Sequence, residues 1–386
     1  MSILSRESLT EKPALFRPYK LGNIELQHRI VHAPLTRYKA GKDHVQLPIV
    51  KEYYRQRTQT PGTLIISEAT FITHKAGINP HCPGIYTTEQ IRAWREITDV
   101  VHTNNCFMFC QIWGLGRSAD YEASRLEDPS WSYVSSSPVQ LSTKGETPRV
   151  LTIPEIQQYV RDFGDAAEVS VGDAGAGFDG VELHFANGYL MDQFFQDVCN
   201  KRTDAYGGSV ENRCRFPLEV VDEVVKRIGP QKVGVRVSPW SPFQDMGMGD
   251  PKPTFTYFVT QLRDNHPDLA FVHVVEPRIT GSATVENAEN MPQDQSNDFI
   301  RDIWAPRPLI SAGLYLRESA IKVADEKGDL IAFGRHFLSN PDLPERIMKD
   351  LPLNDYHRET FYLRGDESGK GYLDYEVNNT YRKEGS

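Results

Sequence analysis

Residues 178–195 read FDGVELHFANGYLMDQFF. The first seven form a mostly apolar run suited to a core strand. The run then delivers His184, an Asn-Gly step and Tyr189 in quick succession. Residues three apart on an extended strand face opposite sides, so His184 and Asn187 can meet only if the Asn-Gly step folds the chain back. The stretch therefore predicts a buried strand whose C-terminal end carries a cluster of hydrogen-bonding groups. Such a cluster either ties down its own loop or grips an oxygen atom.

Seven other runs have the same character: 29–35, 62–68, 106–113, 232–238, 269–276, 307–313 and 329–335. Several are apolar nearly throughout, as parallel strands covered on both faces are. Helical patterns lie between them. Thr87 opens T-T-E-Q, a capping-box signature, before Ile91, Trp94, Ile97 and Val101 on one face. Thr152 and Glu155 frame a second such start around Pro154, and Phe216, Val220, Val224 and Ile228 recur at helical spacing after the fourth strand. Eight alternations without a composition break predict one α/β domain over residues 1–386, a single (β/α)8 TIM barrel with flexible termini. A doubly wound open sheet is the alternative. Residues 16–29, FRPYKLGNIELQHR, predict an N-terminal hairpin around Gly22-Asn23 that caps the barrel. Long irregular segments at 114–151 and 190–208, after strands three and four, read as lids or mouths of a site.

The net charge of −9 lacks the basic excess that nucleic acid or anionic membranes attract. No stretch has the length of a bilayer span, and MSILSRESLTEK has no apolar signal region, so the chain reads as soluble and cytoplasmic. Cys82, Cys106, Cys110, Cys199 and Cys214 show neither a CxxC pair nor metal-ligand spacing. A disulfide framework or a zinc site is therefore not expected, and Cys106 and Cys110, inside the apolar run CFMFCQIW, read as small core residues.

In a barrel of this kind the chemistry gathers at the C-terminal ends of the strands. Unusual residues gather there: Pro34-Leu35-Thr36, Glu68-Ala69, Gln111 and Trp113, His184 and Asn187, Arg236, Gly313, and Gly334-Arg335. An arginine inside VGVRVSP is costly to bury without compensation, so Arg236 implies a negative or strongly polar partner in the mouth. Glycines ending strands seven and eight let backbone amides approach a ligand, and Arg335 would match a phosphate there. In SNPDL, Ser339 or Asn340 would cap and Pro341 would begin a helix. No GxGxxG follows a strand, and no P-loop or HExxH occurs. Taken singly, His184 reads as a structural histidine, Asn187 as a turn residue and Tyr189 as a half-buried tyrosine.

The constellation changes that reading. APLTR (33–37), QIWGLGR (111–117), HFANGYLMDQFF (184–195), KRTDAYGGSVENRCRF (201–216), VGVRVSP (233–239) and AFGRHFLSNPDL (332–343), in this order, resemble the Old Yellow Enzyme family of flavin-dependent ene-reductases. The likeness spans residues 14–376. It implies bound FMN, NADPH as reductant and a small α,β-unsaturated carbonyl compound as substrate, with no nucleic acid or membrane partner and with a homodimer left open. By position, Pro34, Leu35, Thr36, Ala69, Gln111, Arg236, Gly313, Gly334 and Arg335 resemble the cofactor-binding residues. His184 and Asn187 resemble the pair that holds the substrate's carbonyl oxygen, Tyr189 the proton donor, and Trp113 and Tyr362 residues of the substrate pocket. No metal is implied. Phe185, Ala69 and Leu314 depart from the family's usual residues, and Phe185 would have to point near the site. Fungal members of secondary metabolism include both reductases and isomerases. Two alternatives follow: an alkene isomerase and an idle flavin-binding protein.

Overall fold

The computed structural model describes residues 12–285, 292 and 294–378. Eight strands lie at its centre: β1 Ile30–His32, β2 Leu64–Ile66, β3 Phe107–Trp113, β4 Gly180–His184, β5 Val233–Val237, β6 Phe271–Val275, β7 Leu309–Ala312 and β8 Leu330–Phe333. Each pairs in parallel with its sequence neighbour, β8 pairs with β1, and β2 with β3, so the sheet closes on itself. Closure excludes the open sheet and makes the chain a (β/α)8 barrel. The expectation of flexible termini falls on residues 1–11 and 379–386, outside the described residues.

The connecting helices begin where local chemistry says they should. Thr87 and Thr152 each accept from the backbone of the third helical residue, whose own side chain caps the threonine's N–H. The helix Val210–Ile228 buries Phe216, Val220 and Val224 against the barrel's outer face.

Period-two alternation separates two cores. Met108, Cys110, Ile112, Val181 and Leu183 pack outward against helices, whereas Phe109, Phe271, Leu64, Ile66, Ile310 and Leu330 fill the barrel. Gly180 and Gly234 lie opposite Phe109 and Phe271 in register. A Cβ at Gly234 would stand 2.2 Å from the Phe271 ring, so the glycine makes room for the phenyl. The hairpin Tyr19–Leu21 and Ile24–Leu26 plugs the bottom with Leu21 and Leu26. Its turn residue Gly22 has φ +53 and so little clearance that a Cβ would meet the Gln231 carbonyl at 2.1 Å.

Two expectations need correction. Segments 114–151 and 190–208 are not bare loops: they hold helices Tyr121–Glu127 and Leu190–Phe195 and the strand pair Val134–Ser135 with Arg149–Val150. Gln193 knits them together, its Oε1 accepting from the Arg117 N–H and the Ser135 hydroxyl. Nor does Pro341 start a helix. Asn340 ends the helix Arg335–Ser339 by donating to the His336 carbonyl, and the next helix begins at Leu343 with Pro344 in its first turn. No described helix is long and apolar enough to cross a membrane. All five cysteines are buried and free.

Candidate active site

A cavity of about 400 Å³ opens at the C-terminal end of the barrel, a size suited to small molecules. Pro34, Leu35, Thr36, Gln111, Arg236, Gly313, Gly334 and Arg335 line it, with Trp113, His184, Asn187, Tyr189 and Tyr362. Ala69 is the exception among the predicted residues. It is buried with Phe71, Trp113 and Leu115 behind the wall. The two long segments contribute nothing to the lining. Their place is taken by Phe243 after β5, by Ile279, Gly281 and Ser282 after β6, and by Tyr356, Phe361 and Tyr362 near the C-terminus.

The turn after β4 is built as its sequence requires. Asn187 and Gly188 have φ +60 and +74, which fold the chain back so that His184, Asn187 and Tyr189 share one wall. The Asn187 N–H donates to the Ser238 hydroxyl at 2.8 Å, and its carbonyl accepts from Gln244 Nε2 at 2.7 Å. The Asn187 Oδ1 is buried without a partner among the described residues. His184 Nδ1 accepts weakly from the Ala186 N–H at 3.4 Å, leaving Nε2 as the ring's donor. Burial first, then Arg236 and His273, push His184 well below the usual imidazole range, so the ring is neutral. Trp113 stacks on it with centroids 5.8 Å apart and meets Tyr189 edge-on at 4.5 Å. The Tyr189 hydroxyl bonds to no other described residue. Burial holds its pKa well above that of an ordinary phenol.

Arg236 was expected to have a negative or polar partner. It is only 9% exposed, makes no ion pair among the described residues, and its Nε is an orphan. After burial, the charge that acts on it most is that of Glu182, on the neighbouring strand. An almost buried cation that lines a cavity and lacks a bonded partner is suited to a ligand carrying or acquiring negative charge. At the far end Arg335 donates to the Thr284 hydroxyl at 2.9 Å and to Tyr356 at 3.3 Å. The glycines there are tightly packed, Gly313 more so than Gly334. A Cβ at Gly313, whose φ is +148, would meet Glu276 Cβ at 2.7 Å, and one at Gly334 would meet Leu35 at 3.2 Å. Phe185 does not point near the site; it is fully buried between the barrel and its helices against Phe163, Phe195 and Phe258. Leu314 sits on the rim with φ +53, a conformation rare for leucine.

Sequence reasoning missed several supports of this wall. Arg37 donates to the carbonyls of Phe361 at 3.1 Å and Gly371 at 2.7 Å, which straps the C-terminal segment across the mouth. Glu182 and His273 form a buried pair at 2.6 Å inside the barrel. Both are polar residues at inward positions of strands, the signal that singled out Arg236.

The cavity fits FMN in its residue chemistry: a partnerless cation and an amide deep in the mouth, and an arginine beside glycines at the end of β8. Fold and site together define a flavin-dependent oxidoreductase. The comparisons agree. Residues 14–354 match the model of the NADH:flavin oxidoreductase / NADH oxidase family, and the chain belongs to that family. It is 46% identical to "Chanoclavine-I aldehyde reductase fgaOx3" of Penicillium roqueforti (strain FM164), over 96% of this chain and 98% of that protein. It is 43% identical to "Probable inactive reductase easA" of Epichloe festucae var. lolii, over 95% of this chain and 96% of that one. Among solved structures, the Old Yellow Enzyme from Pichia sp. AKU4542 superposes with a TM-score of 0.85 at 36% identity, covering 95% of this chain and 94% of the other. The protein is thus an FMN-binding oxidoreductase of the Old Yellow Enzyme type, with NAD(P)H as reductant.

Proposed function

We propose that the protein reduces the C=C bond of a small α,β-unsaturated carbonyl compound. The carrying observation is the convergence of His184, Asn187 and Tyr189 on one wall of the cavity that Arg236 also lines. When bound, FMN supplies the hydride that reaches the substrate's β-carbon. His184 Nε2–H and the Asn187 amide hold the carbonyl oxygen, where negative charge grows as the double bond is reduced. The His184 ring is oriented by Ala186 and Trp113, and the backbone that carries Asn187 is held by Ser238 and Gln244, which limits the reorganisation needed as that charge appears. A neutral His184 donates without itself being a proton source of consequence. Tyr189 gives its proton to the α-carbon. Its raised pKa keeps it protonated at neutral pH, and only a strongly basic carbon takes the proton. Gln111 and Arg236 hold the polar edge of the cofactor, Thr36 and the backbone of Pro34 and Leu35 its ring, and Gly313, Gly334 and Arg335 its phosphate. Trp113 and Tyr362 shape the substrate pocket.

The test is the anaerobic visible spectrum of the purified protein, before and after NADPH, followed by an enone or enal. A yellow protein that bleaches with NADPH and recovers its colour with the alkene, yielding one saturated product per NADPH, supports the reading. Rearranged product with no net NADPH use would identify an isomerase instead. Bound FMN that NADPH does not bleach would mark an idle flavin protein.

A further inference from the structure

The buried polar pair inside the barrel has a definite connection to the cavity. Glu182 is fully buried at the middle level of β4. Its Oε1 accepts from Gln111 Nε2 at 2.7 Å, and its Oε2 from His273 Nδ1 at 2.6 Å. Gln111 lies directly beside Glu182 on β3, whereas His273 lies two strands away on β6. The strand between, β5, presents Gly234 opposite Glu182, and Arg236 next along the same face. Gln111 and Arg236 line the cavity; Glu182 and His273 do not.

Two consequences follow from this placement. A carboxylate only accepts hydrogen bonds, so Gln111 must turn its NH2 group toward Glu182 and its carbonyl oxygen elsewhere. The amide is thereby set in one of its two orientations. A negative charge on the strand beside Arg236 also offsets the arginine's field where the cofactor's polar edge lies, in a dry setting where such fields are strong.

We propose that Glu182 is a positioning residue that fixes the Gln111 amide toward FMN and, through its charge beside Arg236, holds the flavin's reduction potential down. The proposal rests on FMN binding and not on the choice of substrate. Uptake of electrons adds negative charge to the cofactor; Arg236 favours that change and Glu182 opposes it.

The test is the midpoint potential of the FMN-loaded protein, measured by dye equilibration without any alkene. Glu182→Gln removes the charge and keeps the shape. It should raise the reduced-to-oxidised ratio at a fixed potential at least about tenfold, or about 30 mV for a two-electron couple. Bound FMN with an unchanged or lower midpoint overturns the charge role. Positioning is read separately, from FMN release on dilution, in a cycle of Glu182→Asp and Gln111→Ala. Aspartate keeps the charge but is one methylene too short to hold both partners. If Glu182 acts through Gln111, the double variant releases FMN no more than about 3-fold faster than Gln111→Ala alone. Independent, multiplying losses overturn it. A wild-type protein that never holds FMN would instead sink the cofactor reading itself.

Discussion

The lower and upper levels of the barrel are built from the same strands and do opposite work. On β3 the inward residues run Phe109, Gln111, Trp113; on β4, Gly180, Glu182, His184; on β5, Gly234, Arg236; on β6, Phe271, His273, Val275. Below, phenyl rings fill the space that glycines vacate, and the hairpin plug seals the end. Above, the same face turns polar, and Arg236 Nε, Asn187 Oδ1 and Trp113 Nε1, all on cavity-lining residues, have no partner among the described residues. Arg236 carries the contrast: burying a cation without an ion pair is costly, so the upper level gives up stability where a ligand can bind.

This contrast can be broken or sharpened by substitution. The largest effect belongs to the upper level. Tyr189→Phe should slow reoxidation by an enone about 10²- to 10⁴-fold, while the rate of bleaching by NADPH and the melting temperature stay close to wild type. Equal loss in both half-reactions, followed by stopped flow, would remove Tyr189 from the chemistry.

At the lower level the cost should appear as stability. Phe271→Ala should cost about 3–5 kcal/mol in denaturant unfolding, and Gly234→Ala about 1–3 kcal/mol because its methyl group strikes the Phe271 ring. Together they should cost less than the sum, since removing the ring removes the clash. Strict additivity would show that Gly234 is not there to seat Phe271.

Near the mouth a smaller effect should depend on pH. Glu68, buried and hydrogen-bonded by Gln46, has its carboxyl raised from 4.5 to about 7, chiefly by burial. A group with a raised folded pKa contributes stability that is complete below the unfolded value and is lost as pH rises through the folded one. The stability of wild type relative to Glu68→Gln should therefore fall between about pH 4.5 and 7, by on the order of 1–3 kcal/mol, and stay flat above that. Melting curves of both proteins across that window check it. A difference that does not change with pH would mean that Glu68 ionises freely in the fold.

The smallest expected effect concerns Phe185. Because its ring lies between barrel and helices, Phe185→Leu should cost about 1 kcal/mol of stability and leave kcat/KM within about 2-fold. A marked change in substrate preference would contradict that placement.

Much of this was legible in the chain. Strand runs, capping boxes at Thr87 and Thr152, the Gly22-Asn23 hairpin and the Asn-Gly fold-back are short-range signals. They depend on side-chain period, on a side chain reaching its own backbone, or on which residues tolerate positive φ. Those constraints act within a few residues, so the sequence by itself determined the eight strands and the fold-back that brings His184, Asn187 and Tyr189 together, while the closed order of the strands came with the barrel. Other features waited for the barrel to close. Glu182 and His273 stand 91 residues apart and meet across β5 only once the barrel has brought β4 and β6 to either side of it. Arg37 reaches the carbonyl of Gly371 across 334 residues, so no local pattern could show that the C-terminal segment, rather than residues 114–151, walls the cavity. The direction of Phe185 was decided in the same way. A strand's period names two faces, and only packing against Phe163, Phe195 and Phe258 tells which face a residue takes just beyond the strand's end.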